Sequence, residues 1–105
     1  MGEKSFQLII IMIISIPKET QASEKRVAIS PDNISAFAKL GYEVLIEQGA
    51  GENANLSNSA YEEAGARIVD DATTVWSQGD LVLKVTPPSI EEVGMIKEGA
   101  TLVSF

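Results

Sequence analysis

A run of nine largely apolar residues that halts at a proline, residues 8–16 (LIIIMIISI) before Pro17, constrains this chain more than any other feature. It is far shorter than the roughly 20 residues of a membrane-spanning helix. Its isoleucines, branched at Cβ, favour extended backbone. The run reads as a buried first strand, broken at Pro17. A signal-peptide core and a membrane anchor are the alternatives, and residues 15–18 (SIPK) make a poor cleavage site. Met12 is an equally good start, so residues 1–12 read as an extension plus the start of the first strand, and residues 13–105 as the domain.

After Pro17 the hydrophobic period switches repeatedly between helix and strand, the pattern of βαβ units. Ser30 caps a helix with Pro31 at its first position, Ile34, Phe37, Ala38 and Leu40 form its apolar face, and Gly41 ends it. Residues 42–47 (YEVLIE) form a strand, and residues 49–58 a loop rich in Gly and Asn. Ser59 and Glu62 make a capping box for a short helix that stops at Gly65, and residues 67–69 form a short strand. Asp71 caps a helix carrying Val75 and Trp76, which ends at Gly79. Residues 80–85 (DLVLKV) form a strand buried on both faces. After the turn at Pro87-Pro88, Ser89 and Glu92 make a second capping box, with Ile90, Val93 and Ile96 facing inward. Residues 100–105 (ATLVSF) close the series. The expected fold is α/β: a doubly wound, mostly parallel five-stranded sheet with helices on both faces, flavodoxin-like. Its last strand lacks the helix that would ordinarily follow, so an incomplete domain is expected.

Composition narrows the function. Eight basic against fifteen acidic side chains give a net charge of −7, the wrong sign for a nucleic-acid surface. The chain has neither cysteine nor histidine, which removes disulfides, thiolate chemistry and the commonest general base and metal ligand. No metal-ligand spacing and no catalytic triad appears. Chemistry within the chain must use carboxylates, lysines or hydroxyls.

The charged residues of interest cluster where strands end, the edge at which open α/β sheets bind ligands. Lys84, flanked by Leu83 and Val85 near the end of its strand, needs an anion, since burying an unpaired ammonium is costly. That anion is Glu19 or another carboxylate of the chain, or the carboxylate of a ligand; snorkelling out of the strand end is the third reading. Arg26, before the apolar Val27-Ala28-Ile29, offers a planar fork of donors suited to a carboxylate, or else is a solvated loop arginine. Lys18 follows the first strand, so Lys18, Arg26 and Lys84 are expected over one rim of the sheet. Gly49-Ala50-Gly51-Glu52-Asn53-Ala54 fits the loose pattern G-x-G-x-x-A, with Asp71 twenty residues beyond Gly51. The residues behind those glycines are helix-poor, so no helix N-terminus stands ready for a pyrophosphate, and a glycine turn is expected instead of a cofactor site. The acidic pairs Glu62-Glu63, Asp70-Asp71 and Glu91-Glu92 lie near helix starts and suit capping or solvated roles.

Taken together, IPKE at residues 16–19, EKRVAISP at 24–31, LGYEVLIEQGAG at 40–51, AGA at 64–66 and DLVLKVTPP at 80–88 resemble the amino-terminal domain shared by alanine dehydrogenase and the α subunit of proton-translocating NAD(P) transhydrogenase. The resemblance runs from about Ile13 to the end of the chain. It implies a partner domain of Rossmann type that binds NAD(H), lying outside these residues, and a homodimer. In alanine dehydrogenase the arginine and lysine matched by Arg26 and Lys84 bind the carboxylate and carbonyl of pyruvate; in this chain Lys18 and Glu19 are expected to supply supporting ion pairs. The catalytic histidine of that enzyme falls beyond residue 105, so no residue of this chain is expected to be catalytic.

The stretches VWSQGDLVLKV and ATLVSF are nearer to the transhydrogenase pattern. A transhydrogenase passes hydride from NADH to NADP+ on a partner component, coupled to proton movement across a membrane. That implies membrane and NADP-binding components as partners, a place beside the inner membrane on its cytoplasmic or matrix side, and a structural role for Arg26 and Lys84. A non-catalytic module that binds an anion or a partner chain is the alternative class.

Overall fold

A computed structural model describes residues 11–104 of the chain. The described elements, in chain order, are β1 (Ile13–Ile16), α1 (Pro31–Lys39), β2 (Glu43–Glu47), α2 (Asn58–Glu63), β3 (Arg67–Val69), α3 (Ala72–Gln78), β4 (Leu81–Lys84), α4 (Ile90–Val93) and β5 (Thr101–Ser104). A single 3₁₀ turn, Glu52–Ala54, precedes α2. All four strand pairings are parallel, and the sheet order is β3-β2-β1-β4-β5.

That order refines the expected fold. The parallel doubly wound sheet is present, but a flavodoxin-like order of 2-1-3-4-5 is not. Here the three-residue β3 pairs outside β2, through Leu45 opposite Arg67 and Glu47 opposite Val69, and leaves the other side of β1 to β4. Travel across the sheet therefore reverses after β3. With one handedness of crossover throughout, a reversal of travel moves the connecting helices to the opposite face.

The two cores reflect this. On one face Ile14, Ile16, Val44, Ile46 and Leu83 pack with Ile34 of α1 and Tyr61 of α2. On the other, Leu45, Val69 and Val82 pack with Val75 and Trp76 of α3, and Met95 and Ile96 join from beyond α4. Strands β1, β2 and β4 are thus buried on both faces, as their near-continuous apolar sequences require.

Local chemistry sets most boundaries. Pro31 opens α1, Asp71 Oδ1 accepts the Thr74 N–H at 2.7 Å at the start of α3, and Ser89 and Glu92 form the reciprocal capping box of α4. Gly41 and Gly65 follow the ends of α1 and α2 with φ of +93° and +109°, the left-handed conformation that glycine takes without penalty.

Four expectations need correction. Strand β1 begins at Ile13; Ile11 and Met12 are exposed and outside it, and residues 8–10 of the apolar run lie outside the described residues. Helix α2 is capped by Ser57, whose Oγ accepts the Ala60 N–H at 3.1 Å, and not by Ser59. The helix already includes Asn58, whose Oδ1 takes the Gly49 N–H and fastens the preceding loop. Leu40 is 74% exposed, because α1 has ended before its side chain can reach the sheet. Ile90 and Val93 are 93% and 52% exposed, and Glu92 is the residue of α4 that is buried. A four-residue helix has no long apolar face to bury, and the charge of Lys84 favours a carboxylate there.

Candidate functional site at the β1–β4 junction

The reversal of travel places a crevice outside the carboxyl ends of β1 and β4, where open α/β sheets bind ligands. Glu19 fills it. Three residues beyond β1, its side chain crosses to the end of β4: Oε2 accepts the Val85 N–H at 2.9 Å, and Oε1 accepts the Thr86 N–H at 3.1 Å and the Thr86 hydroxyl at 2.8 Å. The Lys84 ammonium stands 3.1 Å from Oε1 and 3.8 Å from Oε2 of Glu92. It also lies 5.9 Å from the ring centre of Trp76, within cation–π range.

All three charged groups of this cluster are buried, with the Lys84 side chain only 1% exposed. Burial alone would push the Glu19 carboxyl up. The Val85 N–H, the hydroxyl and N–H of Thr86, and Lys84 outweigh that and hold it below its ordinary value. Lys84 is satisfied differently. Neither carboxylate lies in hydrogen-bonding alignment with its ammonium, so its pairing is Coulombic and its donors keep unused capacity.

Glu92 has two tasks. Its Oε1 accepts the Ser89 N–H at 2.8 Å, completing the capping box, while Oε2 faces Lys84. The sequence marked it as a cap and missed the second task. The available signal was a lysine inside an apolar strand shortly before an acidic capping residue.

Arg26 lies elsewhere. Its guanidinium is 73% exposed and grips Glu24 through two hydrogen bonds of 2.8 and 2.9 Å. Arg26 in turn holds the Glu24 carboxyl down at about 2. With Val27, Ala28 and Val85, Arg26 lines an open cavity of about 320 Å³ beside the end of β4. Arg26 still feels the charge of Glu19, the carboxylate that faces Lys84, but its guanidinium is exposed whereas the Lys84 ammonium is buried. Lys18 stands apart from both: its backbone N–H donates to Glu47 at 2.9 Å and its ammonium lies near Gly49. The three cations share the carboxyl rim of the sheet, with Lys84 buried against Glu19, Arg26 exposed and paired with Glu24, and Lys18 beside the Gly49 turn.

The glycine loop packs against its own chain. A Cβ at Gly51 would stand 2.6 Å from Tyr61 and 2.8 Å from the Leu56 carbonyl, so the close approach this glycine permits is to the chain itself. Behind it comes the 3₁₀ turn, with α2 delayed to Asn58. The cleft there, about 310 Å³ and lined by Gln48, Gly49, Glu52, Leu56, Ser57 and Asn58, contains no basic residue in its lining. No described helix is long and apolar enough to cross a membrane.

Residues 15–105 match the family model for the alanine dehydrogenase/PNT N-terminal domain. The chain belongs to that family. Within this alanine dehydrogenase/PNT group its relatives fall in both named branches. The NAD(P) transhydrogenase subunit alpha of Haemophilus influenzae is 43% identical over 90% of the chain, and a transhydrogenase subunit alpha chain of Rhodospirillum rubrum is 45% identical over 88%. Alanine dehydrogenase of Mycobacterium tuberculosis is 40% identical over 90%. The match covers 18% of the first of these proteins and 25% of the other two, so the chain spans a quarter of their length or less.

Solved structures agree. A transhydrogenase from Sinorhizobium meliloti superposes with a TM-score of 0.83 at 35% identity, covering 88% of this chain and 27% of that one. An L-alanine dehydrogenase superposes at 0.81 and 31%, covering 90% and 26%.

Proposed function

We propose that this domain is the amino-terminal portion of the NAD(H)-handling subunit of an NAD(P) transhydrogenase, and that it supports hydride transfer from NADH to NADP+ without binding a carboxylate substrate of its own. One observation carries the reading: Lys84 is already faced by two carboxylates of the chain, Glu19 and Glu92. A substrate carboxylate arriving there would be a third negative charge against one buried positive charge, an unfavourable balance in a desolvated site. Arg26 is likewise engaged with Glu24.

In this reading NAD(H) is bound by a Rossmann-type domain outside residues 1–105, because the one glycine loop that resembles a dinucleotide fingerprint packs against Tyr61 and Leu56. The dinucleotide supplies the hydride chemistry. This chain supplies a rigid strand edge, with β1 and β4 tied together by Glu19. The working assembly is a homodimer joined to membrane and NADP-binding components, placed beside the membrane by those partners.

A second reading, the substrate-binding domain of an alanine dehydrogenase, is favoured by the unaligned donors of Lys84 and by the exposure of Arg26 beside its cavity. The two are separated by assaying the full-length protein with NADH, offering either an NADP+ analogue or pyruvate with ammonium. Hydride transfer to the analogue supports the proposal. Pyruvate-dependent oxidation of NADH that Arg26→Ala abolishes overturns it.

A further inference from the structure

Three donors on Glu19, two successive backbone N–H groups and a hydroxyl, with the Lys84 ammonium 3.1 Å away as a Coulombic partner, have a geometry that any small carboxylate would satisfy. They lie at the topological reversal, where a ligand would be expected, and the group occupying them belongs to the chain. We infer that the end of β4 is a carboxylate-binding site kept closed by an internal ligand, the side chain of Glu19, which excludes outside carboxylates and locks the loop after β1 onto the loop after β4.

This rests on the reading above that Lys84 is balanced within the chain, and adds to it where the outside anion is turned away. Two features support it. Glu19 reaches Val85 and Thr86 from 66 and 67 residues away in sequence, so the contact is a tether between loops and not a local turn. The Glu19 carboxylate also accepts three hydrogen bonds, two on Oε1 and one on Oε2, with the Lys84 ammonium beside Oε1, so its charge is compensated within the chain. Neutral replacements cannot reproduce that set, since an amide would turn its own donors towards the Val85 N–H or the Lys84 ammonium.

The test removes the internal ligand and supplies it in trans. In Glu19→Ala the deleted atoms are one methylene and the carboxylate, which acetate matches in size and charge. Acetamide matches the size alone. The full-length protein, wild type and Glu19→Ala, is heated with increasing acetate, acetamide or chloride at constant ionic strength.

Saturable stabilisation of the variant by acetate alone is expected, worth about an elevenfold gain in the folded-to-unfolded ratio at ten times the acetate Kd. The wild type should not respond. If the variant does not fold unaided, refolding yield against acetate replaces the melting temperature as the readout. Adding Lys84→Met to Glu19→Ala should abolish the rescue. The inference is overturned if acetate and acetamide act alike, if neither acts, or if the wild type responds as strongly as the variant. None of these readouts depends on hydride transfer, so a failed transhydrogenase assay and a failed rescue are distinct results.

Discussion

Replacing Lys84 by Met is the most informative single perturbation, because it removes the charge and keeps most of the apolar stem. Glu19 and Glu92 then face each other in a buried space with no cation between them. Removing one partner of a buried ion pair costs about 3–5 kcal/mol. The lower end applies here, since Glu19 keeps the donors of Val85 and Thr86, and Glu92 keeps the Ser89 N–H. Methionine also fills the space beside Trp76.

The expected loss of about 3 kcal/mol, with an m-value of about 1.5 kcal/mol per molar in urea, lowers the unfolding midpoint by about 2 M. Trp76 is the only tryptophan of the chain and is buried 5.9 Å from the ammonium, so its fluorescence reports the transition. The loss should depend on pH in a definite sense. Glu19 is held below its ordinary value of 4.5 in the folded wild type, so its contribution is present above pH 4.5 and disappears as the pH falls through the folded-state value. Without Lys84 the Glu19 carboxyl protonates more readily, so the gap between variant and wild type should narrow as the pH falls from 7 towards 4.5. A loss below about 1 kcal/mol, or a gap that widens on acidification, would refute the view of Lys84 as a balanced buried charge.

Two further substitutions test the packing around the site. Gly51→Ala should cost about 1–3 kcal/mol in urea unfolding, because its Cβ would stand 2.6 Å from the buried Tyr61 ring. Tyr61→Phe removes the hydroxyl that donates to the Ile29 carbonyl at 2.8 Å and should cost about 1–2 kcal/mol. Burial pushes the Tyr61 hydroxyl up to about 12 from its ordinary 10. The wild type should therefore lose stability as pH rises from 10 towards 12, where the unfolded chain ionises and the folded one does not, and Tyr61→Phe should lack that component.

Much of the fold was legible in the sequence because its elements carry local signals. The apolar run at β1 reads as a buried strand, that at β4 could be satisfied only by double coverage, and Pro31, Asp71 and the Ser89–Glu92 box each start a helix where the residue type demands it. The sheet order was not legible. Whether β3 pairs beside β1 or outside β2 depends on non-local packing of a three-residue strand, which no local period records. Ser57 and Ser59 are equally good caps by residue type, and the choice is made in the fold, where Asn58 anchors Gly49.

At the site, the need for an anion facing Lys84 followed from the cost of an isolated ammonium, while the choice of Glu19 over another carboxylate of the chain or a ligand was left open by the sequence. Glu92 was missed because four-residue helices obey no apolar period, so Ile90 and Val93 were assigned the inward face. The convergence expected of Lys18, Arg26 and Lys84 came from strand ends alone. Ends share a rim, but Arg26 lies in a loop, where its exposure and its grip on Glu24 are set by local chemistry that no strand period records.

Pyruvate binding to the full-length protein, measured by titration calorimetry with NADH present, tests the central claim most directly. A site already balanced by Glu19 and Glu92 should give no saturable heat. Stoichiometric binding that disappears in Arg26→Ala and in Lys84→Met would show that these cations serve an outside carboxylate, and would contradict the account.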